Sequence, residues 1–99
     1  MLYAITGTDA PDSLPGRLAA RGAHLTRVTA LRDRGQLILA GPHPRLDTSE
    51  PGEAGFSGSL IIAEFASLAD AEAWAAADPY VIAGVWTDVI VKPFVQVMP

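Results

Sequence analysis

The stretch that decides the fold is Ser13–Gly35, SLPGRLAARGAHLTRVTALRDRG. Leucines recur in it at helical spacing, and the pattern predicts a helix that contains all of Arg17–Arg34. Asp12 or Ser13 is expected to cap its start, because short polar side chains accept hydrogen bonds from the first free N–H groups. Pro15 suits the first turn, and Gly35 is expected to end the helix.

The helical spacing of apolar residues continues through Val28 to Leu31 or Arg32. At 100° per residue Leu14, Leu18 and Leu25 project together, with Val28 on their flank, and this is the predicted apolar side. Arg17 and His24 share one angular position on the flank of that side. His24 therefore lies between the apolar and the polar face. It is one of only two histidines in a chain without cysteine, so proton transfer near neutral pH depends on very few side chains.

The rest of the chain predicts four strands and a second helix. Ser67 is expected to cap that helix, Leu68–Ala77, and Asp78 with Pro79 to start a further short turn or helix. The predicted strands are Leu2–Thr8, Gln36–Ala40, Leu60–Phe65 and Val85–Val97.

The order β-α-β-β-α-β predicts an α+β ferredoxin-like sandwich, an antiparallel sheet with two helices on one face. The second strand is expected to stop at Gly41-Pro42, which leaves residues 41–57 as a long loop with His43 exposed on it. Pro93 places the last strand at a sheet edge or in a bulge, because proline cannot donate to a ladder.

Composition narrows the class of protein. Ninety-nine residues predict one domain, 1–99, and an apolar fraction of 49 % is high for that size. We expect the open sheet face to be covered in a homodimer; the alternative is a monomer with an Ala- and Val-rich core. The net charge is −4 and no cluster of Lys and Arg residues is present, which argues against a nucleic-acid-binding function. The sequence contains no run of about 20 apolar residues, so no membrane span is predicted. No basic leader is apparent either, and we expect a cytoplasmic protein.

The candidate catalytic pair is His24 with Asp78. A carboxylate beside an imidazole fixes its tautomer and supports general acid–base chemistry near pH 7. Arg17 and Arg21 are predicted to line the His24 side of the helix, where they are placed to receive an anionic substrate. Of these, Arg21 is taken with Ser59 as the candidate substrate-binding residues. Two distant histidines and no cysteine predict no metal site, and the proposed chemistry needs no cofactor.

Several segments resemble the YciI-like, YCII-related proteins over almost the full length. Asp-Pro-Tyr followed by Ala-Gly-Val, together with Lys-Pro-Phe, makes the resemblance specific. The matching segments are Met1–Tyr3, Arg21–Leu25, Ala40–Pro44, Gly55–Ser59, Ile62–Phe65, Ala77–Tyr80, Ala83–Val85 and Val91–Phe94.

The resemblance implies a dimeric α/β barrel and an active site built around a His and an Asp, which correspond to His24 and Asp78. Ser59 falls in a matching Gly-Ser segment and is expected to line the same pocket. His43 stands where the family has a non-titratable residue, so no role is inherited for it. Relatives on this fold include dehydrochlorinases and muconolactone-isomerase-like enzymes, which act on small aromatic or lactone compounds.

Three readings stay open at the level of sequence. The first is a cofactor-independent enzyme of elimination, isomerase or lyase type that acts on a small anionic ring compound. The second is a dimeric module that binds a small molecule or serves as an accessory subunit without catalysis. In the third, both residues are structural and Asp78 only caps its helix.

Overall fold

The computed structural model describes all residues, Met1–Pro99, as four strands and three α-helices. A single-turn 3₁₀ helix, Gly52–Ala54, lies between the second and third strands. In chain order the elements are β1 Leu2–Asp9, α1 Leu14–Asp33, β2 Leu37–Pro44, β3 Phe56–Glu64, α2 Leu68–Ala76, α3 Pro79–Ile82 and β4 Trp86–Phe94.

The strands form one antiparallel sheet in the order β2-β3-β1-β4, with the helices packed on one face. This is the ferredoxin-like α+β fold that the element order predicts. On β1, alternate residues from Tyr3 to Asp9 are buried beneath the helices. Ile5, Leu31 and Ile61 are almost fully buried and anchor the core between the sheet and α1. Burial of each such side chain stabilises the fold by about 2 kcal/mol.

The predicted end of β2 is wrong. The strand continues through Gly41 and Pro42 to Pro44, with Pro42 opposite Ser59 of β3, so the irregular connection is shorter than predicted. β2 lies at the sheet edge and pairs with β3 alone. Its other side has no partner strand, so the N–H that proline lacks is not needed there for a ladder hydrogen bond. His43 is exposed as expected, but it lies in this strand.

Strand β4 occupies the opposite edge, in agreement with the prediction from Pro93. It ends at Phe94, three residues before the predicted end at Val97. The predicted caps of α1 and α2 differ in outcome; the cap of α3, Asp78, belongs to the candidate site described below. Ser67 accepts a hydrogen bond from the Asp70 N–H at 3.0 Å, whereas Ser13 makes no side-chain cap bond.

The predicted apolar side of α1 is confirmed for Val28 and Leu31 but wrong for Leu18 and Leu25. Leu18 is 61 % exposed and Leu25 39 % exposed, although both were expected to face the core. The helix is rotated towards the flank that carries its two polar residues. Its buried residues are Arg17, His24, Val28 and Leu31. Polar side chains can take such positions only where each finds hydrogen-bond partners.

Candidate active site

His24 and Asp78 meet between α1 and the start of α3. The imidazole Nδ1 lies 2.8 Å from Asp78 Oδ1 and 2.9 Å from Oδ2. Both side chains are buried, and that of Asp78 is fully inaccessible. The two residues are 54 positions apart in the chain, so the contact exists only because α1 and α3 pack together.

Asp78 is held by two further donors. Its Oδ1 accepts a hydrogen bond from the Tyr80 backbone N–H at 2.9 Å, which makes Asp78 the N-cap of α3. Its Oδ2 accepts from Arg27 Nη1 at 3.1 Å, and Arg27 also donates to the carbonyl of Trp74. Because these neighbours all donate, the carboxylate is the natural acceptor for His24 as well, and we assign the imidazole proton to Nδ1.

This assignment leaves Nε2 of His24 as the atom available for chemistry. Nε2 has no protein partner. The only buried side-chain nitrogen or oxygen without a hydrogen bond is Nε1 of Trp86, so Nε2 of His24 is accessible. His24 lines a pocket of about 220 Å³, and Nε2 is therefore positioned to accept or deliver a proton there.

Aromatic rings fix the orientation of the imidazole. It stacks on Tyr80 with ring centroids 4.1 Å apart and planes 19° apart, and Trp86 meets it edge-on at 5.6 Å. The Trp86 indole in turn lies over Gly7 of β1, where any side chain would overlap it. Glycine at this position is therefore a packing requirement, and His24 cannot rotate away from Asp78 without losing these contacts.

A second buried polar cluster is centred on Arg17. Its Nε and Nη2 donate to the two carboxylate oxygens of Asp9 at 2.8 and 3.1 Å. Nη2 also donates to Ser59 Oγ at 2.8 Å and to the Gly58 carbonyl at 3.2 Å. The bidentate contact holds the guanidinium plane in one orientation beside Ser59.

The pocket lies between these two clusters. One wall is formed by α1 and α3, and the other by the strands β2 and β3. Its lining residues are Arg17, Arg21, His24, Leu25, Ala40, Gly41, Pro42, Ser59, Ile61 and Tyr80.

Tyr80 is the titratable group in the pocket whose pKa is clearly shifted by its surroundings. Burial raises the pKa of the Tyr80 phenol above its ordinary value of 10.0, and the cations of Arg17 and Arg21 oppose this effect only in part. At neutral pH the side chain is consequently a neutral phenol, which can donate a hydrogen bond to a ligand.

Comparison with known proteins places the chain in a family. The profile of the YCII-related domain matches residues 1–95. The chain belongs to the YCII-related domain family. It is 57 % identical over 97 residues to Protein YciI of Escherichia coli and to that of Shigella flexneri, a match that covers 98 % of this chain and 99 % of each relative.

A solved structure also resembles this YCII-related chain over nearly its whole length. It is the 5-chloro-2-hydroxyhydroquinone dehydrochlorinase TftG from Burkholderia phenoliruptrix, in complex with 2,5-dihydroxybenzoquinone. The two share 27 % identity with a TM-score of 0.85, and the match covers 97 % of this chain and 95 % of TftG.

The structure brings together the residues that the sequence singled out. His24, Ser59 and Arg21 all line the pocket, with Asp78 directly behind His24. Arg21 is exposed and makes no side-chain hydrogen bond, so its guanidinium is free at the pocket rim. Their roles in catalysis and binding remain predictions. His43 lies outside this pocket, and no group of three or more possible ligand side chains is arranged to hold a metal ion.

Sequence reasoning missed Tyr80, Arg27 and Asp9. Tyr80 had a usable signal, because it follows Asp78 by two residues in a segment already tied to the candidate site. Arg27 follows His24 by three residues on α1, a spacing that places both on one helix face. For Asp9 no signal existed, since its bond to Arg17 depends on how β1 and α1 pack.

Proposed function

We propose that this YCII-related protein is a cofactor-independent enzyme that performs acid–base chemistry on a small anionic ring compound. The observation that carries the proposal is the buried Nδ1–Asp78 contact of His24 with Nε2 open to a pocket. A carboxylate in this position keeps the imidazole in the tautomer whose free lone pair faces the substrate and stabilises the imidazolium that forms.

The proposed chemistry is elimination, isomerisation or a lyase reaction. In an elimination, Nε2 of His24 takes a proton from the substrate, the freed electron pair forms the new double bond, and the leaving group departs with its own pair. No outside electron donor or acceptor enters this balance. TftG, which is similar to this chain over its length, is a dehydrochlorinase of a chlorinated hydroxyhydroquinone, which supports this reaction class.

The pocket supports a small ring as substrate. About 220 Å³ is less than drug-sized ligands occupy, and the exposed Arg21 guanidinium at the rim suits an anionic group. Ser59 accepts a hydrogen bond from Arg17, so its own hydroxyl proton is free to bind a ligand oxygen.

The test is turnover of 5-chloro-2-hydroxyhydroquinone and related chlorinated phenols, followed as chloride release. We expect His24→Gln to lower the rate by about 10² to 10⁴-fold, the usual contribution of a general base. His43→Gln is the matched control and should retain the wild-type rate, because His43 is exposed and lies outside the pocket.

Equal rates in His24→Gln and wild type would contradict the proposal. Binding of these rings without turnover in any variant would instead favour the second candidate function, a non-catalytic small-molecule-binding or accessory module.

We also propose that the protein is a homodimer that covers the sheet face opposite the helices. That face carries Leu39 and Ile90, each 46 % exposed, and Phe94 at 36 %. Exposed apolar side chains grouped on one sheet face are typical of a subunit interface. Leu39→Lys should reduce the mass in solution from twice 10.4 kDa to that of one chain, whereas Leu18→Lys on α1 should not. A wild-type protein that sediments as a monomer would refute this assembly.

A further inference from the structure

Arg17 has one hydrogen-bonding nitrogen that the fold does not use. Asp9, Ser59 and the Gly58 carbonyl occupy Nε and Nη2, and Nη1 has no partner. The side chain is only 6 % exposed, yet Nη1 is not among the buried unpartnered atoms. Arg17 lines the His24 pocket and neither of the other two cavities, so we take its accessible Nη1 to face that pocket.

Tyr80 offers a second donor of the same kind. The Arg17 guanidinium lies 4.7 Å from the centre of its ring, and the His24 imidazole stacks on it at 4.1 Å. Arg17 and His24 are seven residues apart on α1, about 10 Å along the helix axis, so they take opposite faces of the ring. The phenol oxygen has no protein partner and is not a buried unpartnered atom. Tyr80 also lines the His24 pocket and neither of the other two, so we take this oxygen to face the pocket as well.

We propose that Arg17 Nη1 and the Tyr80 hydroxyl form an oxyanion-binding corner beside His24. They would hold the substrate oxygen on which negative charge collects while Nε2 of His24 removes a neighbouring proton. Donors fixed in advance stabilise such charge strongly, because they need no reorganisation during the step. The inference rests on the proposed function and adds two substrate contacts to it.

The corner also narrows the substrate class. Asp9 offsets the charge of Arg17, so the corner suits an oxygen whose charge grows during the reaction better than a multiply charged group. The expected substrate is a planar ring with a carbonyl or phenolate oxygen next to the atom that loses a proton or a leaving group. Inorganic phosphate is expected not to compete for this site.

The test is Tyr80→Phe, which keeps the ring between Arg17 and His24 and removes only the hydroxyl. The probe is 2,5-dihydroxybenzoquinone, titrated by its absorbance into wild type and variants. We expect the dissociation constant to rise roughly 10- to 150-fold, as for loss of a hydrogen bond to a charged group. Tyr3→Phe is the matched control, since Tyr3 is a buried core tyrosine outside the pocket, and should bind within about twofold of wild type.

The outcomes separate this inference from the proposed function. A Tyr80→Phe dissociation constant equal to that of wild type overturns the corner, even if His24→Gln abolishes turnover. Full turnover in His24→Gln overturns the proposed function itself, whatever Tyr80 does. Competition by millimolar inorganic phosphate, or failure of the quinone to bind wild type, would overturn the substrate class assigned to the corner.

Discussion

Asp78→Asn removes the charge behind His24 while it keeps the size of the side chain and one acceptor oxygen. That oxygen can replace Oδ1 and retain the bonds from His24 and from the Tyr80 N–H. The amide nitrogen then replaces Oδ2, where it meets the Arg27 donor that lies 3.1 Å away. Removing one partner of a buried ion pair costs about 3–5 kcal/mol. Because Arg27 is 25 % exposed and keeps its bond to the Trp74 carbonyl, we expect a smaller loss, about 2–3 kcal/mol.

Urea unfolding at fixed protein concentration measures this loss, which also lowers the melting temperature of a chain this size by about 10–20 °C. Asp47→Asn is the matched control, because Asp47 is exposed in the loop after β2 and its side chain makes no hydrogen bond; it should stay within about 0.5 kcal/mol of wild type. Nitrogen-15 NMR of the imidazole adds a readout that stability alone does not give. We expect a protonated Nδ1 and a free Nε2 in wild type. In Asp78→Asn the share of the Nε2-protonated tautomer should rise, because the amide oxygen that replaces Oδ1 is a weaker acceptor than a carboxylate. A stability change below about 0.5 kcal/mol, or a wild-type proton on Nε2, would refute the reasoning.

Two glycines, two helix caps and the Tyr80 phenol also give measurable expectations for stability. Gly22→Ala should raise the free energy of unfolding by about 0.5–1 kcal/mol, because Gly22 is exposed inside α1 with open space around it. Gly58→Ala should lower it by about 3 kcal/mol, because a Cβ there overlaps the backbone of β1. Ser67→Ala should cost about 1 kcal/mol and Ser13→Ala almost nothing, since only Ser67 makes a cap bond; equal losses in urea unfolding would contradict this. Burial raises the pKa of the Tyr80 phenol above its ordinary value of 10.0. The stability that the neutral phenol contributes is therefore complete below pH 10, and it is lost as the pH rises through the higher pKa of the folded state. Tyr80→Phe should therefore lose less stability than wild type between pH 9 and pH 11.

The sheet and its helices could be predicted because they follow local rules. Alternating and helical periodicities, the cap at Ser67 and the proline after Asp78 each act within a few residues, and they set the element order. The end of β2 could not be predicted in this way. Whether Pro42 breaks a strand depends on whether that strand lies at an edge, and the strand order is a property of the whole sheet.

The face of α1 that packs inwards was mispredicted for a related reason. Hydrophobic periodicity favours Leu18 and Leu25, but the structure buries Arg17 and His24. Their burial is possible because Asp9 and Asp78 supply hydrogen bonds from other elements, and periodicity carries no information about partners that far away. Leu25, although exposed, lines the pocket.

Asp78 shows why the structural and the functional readings of the candidate site are not alternatives. The sequence left open whether it caps a helix or orients His24, and the structure has one oxygen, Oδ1, in contact with both the Tyr80 N–H and the His24 Nδ1. The cap fixes where the carboxylate points, and the helix turn that it starts brings Tyr80 under the imidazole. A segment of three residues thus supplies the hydrogen-bond acceptor and the stacking ring. Stability measurements alone therefore cannot separate the two roles, whereas the imidazole tautomer and the rate of chloride release can.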